Sequence, residues 1–164
     1  MIDRLRGQGY EVTVFDDDVV TAGALSGFDL VIVSSSVVPS KIGTNLAGPR
    51  IPVVTWEGYL FDEFGLASSG GETNVNTREI TIMDPSHPTA GGLTDSVTLL
   101  TTDMKLNRAT GLADGVVEVA DTRVGATMLR AEVGALLTTG PALPVGPGCR
   151  GRTTRRTSRP RMGS

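Results

Sequence analysis

Residues 28–57, FDLVIVSSSVVPSKIGTNLAGPRIPVVTWE, decide the fold class expected of this chain. They read as a strand, a polar loop, a short helix and a second strand with an acid at its exit. Leu30, Val31, Ile32 and Val33 form an unbroken apolar run that ends in Ser34, Ser35 and Ser36. Ile51, Pro52, Val53, Val54, Thr55 and Trp56 form a second run, closed by Glu57 and Gly58. Continuous β-branched runs, unlike alternating ones, suit a sheet buried on both faces. Parallel strands of that kind present ligand-facing groups at their C-terminal ends. Those ends are the three serines and the Trp56-Glu57 pair.

Upstream, Ile2 and Leu5 make a short helical stripe that Gly7 and Gly9 stop. Residues 11–18, EVTVFDDD, read as a strand closing on Asp16, Asp17 and Asp18. A helix, a glycine turn and a strand in that order normally follow a first strand, so the chain is expected to lack one. Residues 21–27 suggest a short helix or turn, residues 39–47 a helix capped by Ser40, and residues 58–64 another helix. This spacing predicts βαβ crossovers. The expected fold is therefore α/β: a three-layer, flavodoxin-like parallel sheet without its first strand.

The texture changes after Ala67. Residues 68–77 read as a turn-rich loop. Residues 77–84 alternate, with Ile80 and Ile82 opposite Thr81 and Met83, which predicts a half-exposed strand. A Pro/Gly-rich loop follows over 84–93, then strands at 97–103 and 116–122, and two short strands within 126–139. Residues 1–139 are thus expected to form an incomplete α/β domain. Residues 140–164 hold Pro, Gly, Arg, Ser and Thr almost exclusively and predict a disordered basic tail. That composition fits an out-of-frame reading of GC-rich coding DNA better than a tether.

Composition narrows the function classes. The chain has 164 residues, 39% of them hydrophobic, enough for one globular domain. Only 4% are aromatic, so Val, Leu, Ile and Ala must build the core. The net charge of −3 conceals a tail with Arg150, Arg152, Arg155, Arg156, Arg159 and Arg161 and no acid. The remainder is strongly acidic and does not look like a nucleic-acid binder. A single cysteine, Cys149, leaves no internal disulfide and no Cys-based zinc cluster. No apolar run approaches the roughly 20 residues of a membrane helix, and no signal-peptide core is visible. The expectation is a cytoplasmic chain without membrane insertion, the alternative being a secreted or cell-surface parent protein.

The strand and turn PVVTWEGYLFDEFG has the form of a nucleophile elbow, in which a residue on a sharp turn faces a helix N-terminus. Here the chain resembles the class I glutamine amidotransferase-like superfamily, whose corresponding phrase is P-V-x-G-I-C-x-G. Pro52 and Val53 match it, and Glu57 stands where the nucleophilic cysteine belongs. That departure removes the thiolate amidotransfer requires. His87, Pro88, Gly92 and Leu93 in ITIMDPSHPTAGGL are similar to the His-Pro…Gly-Leu phrase of the ThuA-like branch, found in sugar-related contexts. The resemblance covers about residues 1–136 and implies a flavodoxin-like domain associated with carbohydrate.

The candidate residues carry competing readings. Glu57 is either a helix N-cap, worth about 0.3–1 kcal/mol from the dipole, or a general base. His87, the only histidine, either orders its loop or serves with Glu57 as an acid/base pair. It cannot alone make a zinc site, which needs about three protein ligands, and no metal or other cofactor is expected. Ser34, Ser35, Ser36, Trp56 and Asp16 would line a ligand site for a small carbohydrate. Asp16, Asp17 and Asp18 otherwise form a solvated strand end. Gly7-Gln8-Gly9 follows a helix and precedes a strand, the reverse of a dinucleotide fingerprint. The leading expectation is a non-catalytic, ThuA-like sugar-binding domain. A carbohydrate-acting enzyme using Glu57 and His87, or a structural spacer in a larger surface protein, are the alternatives.

Overall fold

The computed structural model describes residues 1–46, 51–132, 135 and 137. Two of the expected strands form, shorter than read and not buried on both faces, Leu30 and Val54 being exposed. Val31–Val33 (β1) and Val53–Thr55 (β2) pair in parallel, with Val31 opposite Val53 and Val33 opposite Thr55. Between them lie a single helical turn, Pro39–Ile42, and a 3-10 turn, Gly43–Leu46. Pro39 starts that helical turn, where its missing N–H costs nothing. The first helix, Ile2–Gly7, buries none of its residues. Leu25, Val33, Ile42, Leu46, Leu60 and Phe64 form the core beneath the parallel pair. Each such side chain contributes about 1.5–3 kcal/mol when fully buried.

The rest of the chain overturns the expected architecture. Ala67–Glu72 (β3), Glu79–Ile82 (β4), Ser96–Thr98 (β5), Asn107–Leu112 (β6), Val116–Asp121 (β7) and Ala126–Ala131 (β8) form one six-stranded sheet. Its order is β3-β6-β8-β7-β4-β5, and every pairing in it is antiparallel. The three-layer, flavodoxin-like parallel sheet is therefore incorrect for this chain, as is the α/β class. Among the described residues the parallel part is confined to two strands and the helices are two short ones.

Individual expectations fail for identifiable reasons. Residues 11–18 form no strand; Val14 and Phe15 are exposed, and no neighbouring strand offers them a ladder. Phe15 instead meets Phe28 edge to face, ring centres 5.6 Å apart. The helix expected over 58–64 contracts to a 3-10 turn, Gly58–Leu60, whose N-cap is Glu57, accepting the Tyr59 N–H. The loop expected over 68–77 contains β3, a strand of Ala, Ser, Gly and Glu that exists through its pairing with β6. Within 126–139 there is one described strand, β8. Ile80 and Ile82 are buried while Met83 is exposed, the alternation read from the sequence. The basic tail over 140–164, with Cys149, lies outside the described residues.

One turn joins the two sheets. Leu60 and Phe64 enter the core under β1 and β2, whereas Phe61 packs with Ala67 and Ala109 of the large sheet. A Cβ on Gly58 would lie 2.5 Å from the Gly71 carbonyl oxygen and 2.9 Å from Asn107 Oδ1. Only glycine permits that approach. The Asn107 side-chain amide donates to the Trp56 carbonyl at 2.6 Å and fastens the same turn to β6.

Candidate functional site at the ends of the parallel strands

The C-terminal edge of β1 and β2 gathers most of the residues selected from sequence. The Trp56 backbone N–H donates to the Val33 carbonyl at 3.1 Å, so the end of β2 lies beside the serine turn. The Ser34 and Ser36 hydroxyls are 2.9 Å apart, and the Ser36 N–H donates to Ser34 Oγ at 3.3 Å. Ser34, Ser35 and Ser36 are all exposed, and the Trp56 indole is 47% exposed. The exposed serines and Trp56 thus follow directly on the paired ends of β1 and β2.

The acidic turn reaches the same rim through Asp17. Its Oδ2 accepts the Val38 N–H at 2.7 Å, and its Oδ1 accepts from Lys41 Nζ at 3.0 Å. Lys41 also pairs with Asp18 at 2.8 Å. Asp16 Oδ1 accepts the Asp18 N–H at 3.1 Å, which shapes the turn. The Val38 N–H, then Lys41, hold the Asp17 carboxyl below its ordinary range. Asp18, then Asp17, raise the Lys41 ammonium well above its own. Asp16, Asp17 and Asp18 bring carboxylate oxygens within 4.8 Å of one another, a set to which a hard cation is also suited. Lys41 was not singled out from sequence. It lies 23 or more residues from its partners, and no local spacing marks it.

Glu57 and His87 occupy different parts of the molecule. Glu57 is 7% exposed; its Oε1 accepts the Tyr59 N–H at 3.0 Å, and its own N–H donates to Thr55 Oγ1. It is the N-cap of the joining turn, which rests on β3 and β6. His87 caps a second 3-10 turn, Pro88–Ala90, that packs on β7. Its Nδ1 is 2.6 Å from Thr89 Oγ1 and accepts the Thr89 N–H. β8 lies between β6 and β7, so roughly two strand spacings of about 4.8 Å separate the supports of the two residues. They share no hydrogen bond among the described residues.

Near His87, the Ser86 hydroxyl donates to Asp84 at 2.6 Å, and Arg130 approaches Asp84 at 3.9 Å and Glu132 at 2.7 Å. The Ser86 hydroxyl is the main cause of the lowered Asp84 pKa. A shallow depression elsewhere, about 60 Å³, is bordered by Glu79, Thr81, Ser96, Asp121 and Arg123. It is far below the roughly 300–1,000 Å³ of ligand pockets, and none of the sequence-selected residues lines it. No helix among the described residues is long and apolar enough to cross a membrane. No protein-family model, no characterised protein and no solved structure matches the chain.

Proposed function

We propose that this chain is a non-catalytic binding module that takes a sugar-like ligand at the C-terminal ends of β1 and β2. The hydrogen bond from the Trp56 N–H to the Val33 carbonyl supports the reading, because it brings the backbone of half-exposed Trp56 to the strand end that Ser34 and Ser36 continue. A pyranose has apolar C–H faces and hydroxyl edges. An aromatic face beside hydroxyls and carboxylates meets both. The likeness of His87, Pro88, Gly92 and Leu93 to the ThuA-like phrase points to the same ligand class by similarity alone. Because the rim is open and not a cavity, affinity is expected in the millimolar range, about −4 kcal/mol.

Trp56 is the sole tryptophan, so its fluorescence reports on the site directly. Titration with glucose, galacturonate, maltotriose and trigalacturonate should give a saturable change for at least one of them. Replacing Ser34 and Ser36 together by Ala should weaken it about tenfold, or roughly 1.4 kcal/mol. A flat response to all four sugars well above millimolar concentration would remove the proposal.

A further inference from the structure

Resting on that reading, we propose that Asp17 is the positioning residue of the serine turn: its carboxylate, by accepting the Val38 N–H, holds Ser34 and Ser36 in the shape that meets a ligand. The turn between β1 and the helical turn Pro39–Ile42 has two ends. At the first, buried Val33 accepts the Trp56 N–H at 3.1 Å through its carbonyl. At the second, Val38 is the N-cap of Pro39–Ile42, and its side chain caps nothing. Asp17 Oδ2 accepts the Val38 N–H at 2.7 Å, from 21 residues upstream. Between these ends, the Val37 N–H reaches the Ser34 carbonyl at 3.5 Å and the Ser36 N–H donates to Ser34 Oγ at 3.3 Å. Those bonds are internal to the turn. Val37 also packs against the core under β1 and β2, but an apolar contact has no direction. The Asp17 bond is the directional tie at this end of the turn.

The carboxylate is suited to that work. Its side chain is only 13% exposed, although its neighbours Asp16 and Asp18 are open to solvent. One oxygen serves Val38, and the other accepts from Lys41 Nζ at 3.0 Å. Asp16 and Asp18 are the titratable groups beside it on its own turn, and Lys41 is the group facing it from Pro39–Ile42. Of these influences the Val38 N–H is the largest in lowering the Asp17 pKa. A hydrogen bond to an ionised acceptor is about twice as strong as a neutral one. The ion pair, by contrast, ends on a lysine that is 41% exposed, and such pairs contribute little. The backbone bond, more than the ion pair, therefore sets the turn. As pH falls through the folded Asp17 pKa the ionised acceptor is lost, and the serines lose their fixed shape with it. A site that is competent only a tenth of the time binds about tenfold more weakly.

The test follows Trp56 fluorescence of the full chain with whichever of glucose, galacturonate, maltotriose and trigalacturonate binds the parent. Asp17→Ala should weaken that binding roughly three- to tenfold. Asp17→Asn keeps an acceptor for the Val38 N–H and should recover most of the loss. Lys41→Met keeps the carboxylate and should bind within about twofold of the parent. An NMR titration of the parent needs no variant: the Val38 and Ser36 amides should shift together with the Asp17 carboxyl carbon, at one midpoint below 3.8. Should Asp17→Ala fail to fold, that titration and the other two variants decide. Parent-like affinity in folded Asp17→Ala, no recovery in Asp17→Asn, a comparable loss in Lys41→Met, or a Ser36 amide indifferent to the Asp17 titration each overturns the positioning role and leaves the sugar site standing. No response of the parent to any sugar removes the site and its positioning residue together.

Discussion

Gly58 and Gly70 meet backbone to backbone: a Cβ on Gly70 would overlap the Gly58 carbonyl oxygen, and one on Gly58 would overlap the Gly71 carbonyl. This contact is where the parallel pair is seated on the six-stranded sheet, and where Trp56, Glu57 and Tyr59 acquire their positions. Neither neighbour is the end of a flexible side chain, so no rotamer change relieves a substitution. Gly58→Ala and Gly70→Ala should each cost about 1–3 kcal/mol as overpacking. Gly7→Ala, with nothing near its Cβ position, should stay within about 0.5 kcal/mol of the parent. Urea denaturation midpoints of the three variants check the difference.

Thr73 links β3 to β6 through its side chain. It is 1% exposed; its hydroxyl donates to the Val75 carbonyl at 2.7 Å and accepts the Leu106 N–H at 3.0 Å. Thr73→Val keeps the shape and strands both backbone partners, at a cost of about 1–3 kcal/mol. Thr73→Ser retains the bonds and should lose less. Paired chemical melts of the two variants measure the gap.

Asp17 gives the acidic turn a defined pH response. Its folded pKa lies below the ordinary carboxylate value of 3.8, chiefly through the Val38 N–H and then Lys41. Its contribution to stability is therefore present above the unfolded value and is lost as pH falls through the folded one. Lys41→Ala should raise the Asp17 pKa only part of the way, because the stronger backbone bond remains. A carboxyl-carbon NMR titration of the two proteins would show it; full reversion to the ordinary value would contradict this account.

Glu118 responds in the opposite direction. Partial burial, and then its hydrogen bond to Asp121, raise its pKa above 4.5. Register shifts between Glu118 and Ala120 and between Ala120 and Asp121 interrupt the ladder between the two carboxyls. The protonated acid contributes stability below the unfolded pKa, and that contribution disappears as pH rises through the folded value. Glu118→Gln keeps a donor for Asp121 and removes the titration. Its stability profile should be flatter than the parent's above pH 4.5, by less than about 1 kcal/mol because the pair is partly solvated. Thermal melts across the acid range check the slope.

The two strands β1 and β2, the polar residues at their ends and the Ile80/Ile82 alternation were legible because each depends on side-chain order along a few residues, whereas burial of the strands on both faces was not, since Leu30 and Val54 are exposed. Glu57 was legible as a cap for the same reason: its bond to the Tyr59 N–H spans two residues. The overall class was not legible. Residues 11–15, EVTVF, have every local property of a strand and form none, while residues 67–72, ASSGGE, have almost none and form β3. Likewise Lys41, Asn107 and Arg108 carry no local mark of the contacts they make.

By itself, then, the sequence determined where β1 and β2 run, that Glu57 caps its turn and which polar groups close β1 and β2; the cap expected at Ser40 does not form, because Val38 precedes that helical turn and no side chain caps it. Tertiary structure alone decided that the large sheet is antiparallel, that Lys41 answers Asp17 and Asp18, and that Arg108 stands opposite Gly71. The physical reason is that a strand's hydrogen-bonding groups are satisfied by another strand. β3 therefore belongs to its ladder with β6, some forty residues away, more than to its own residues.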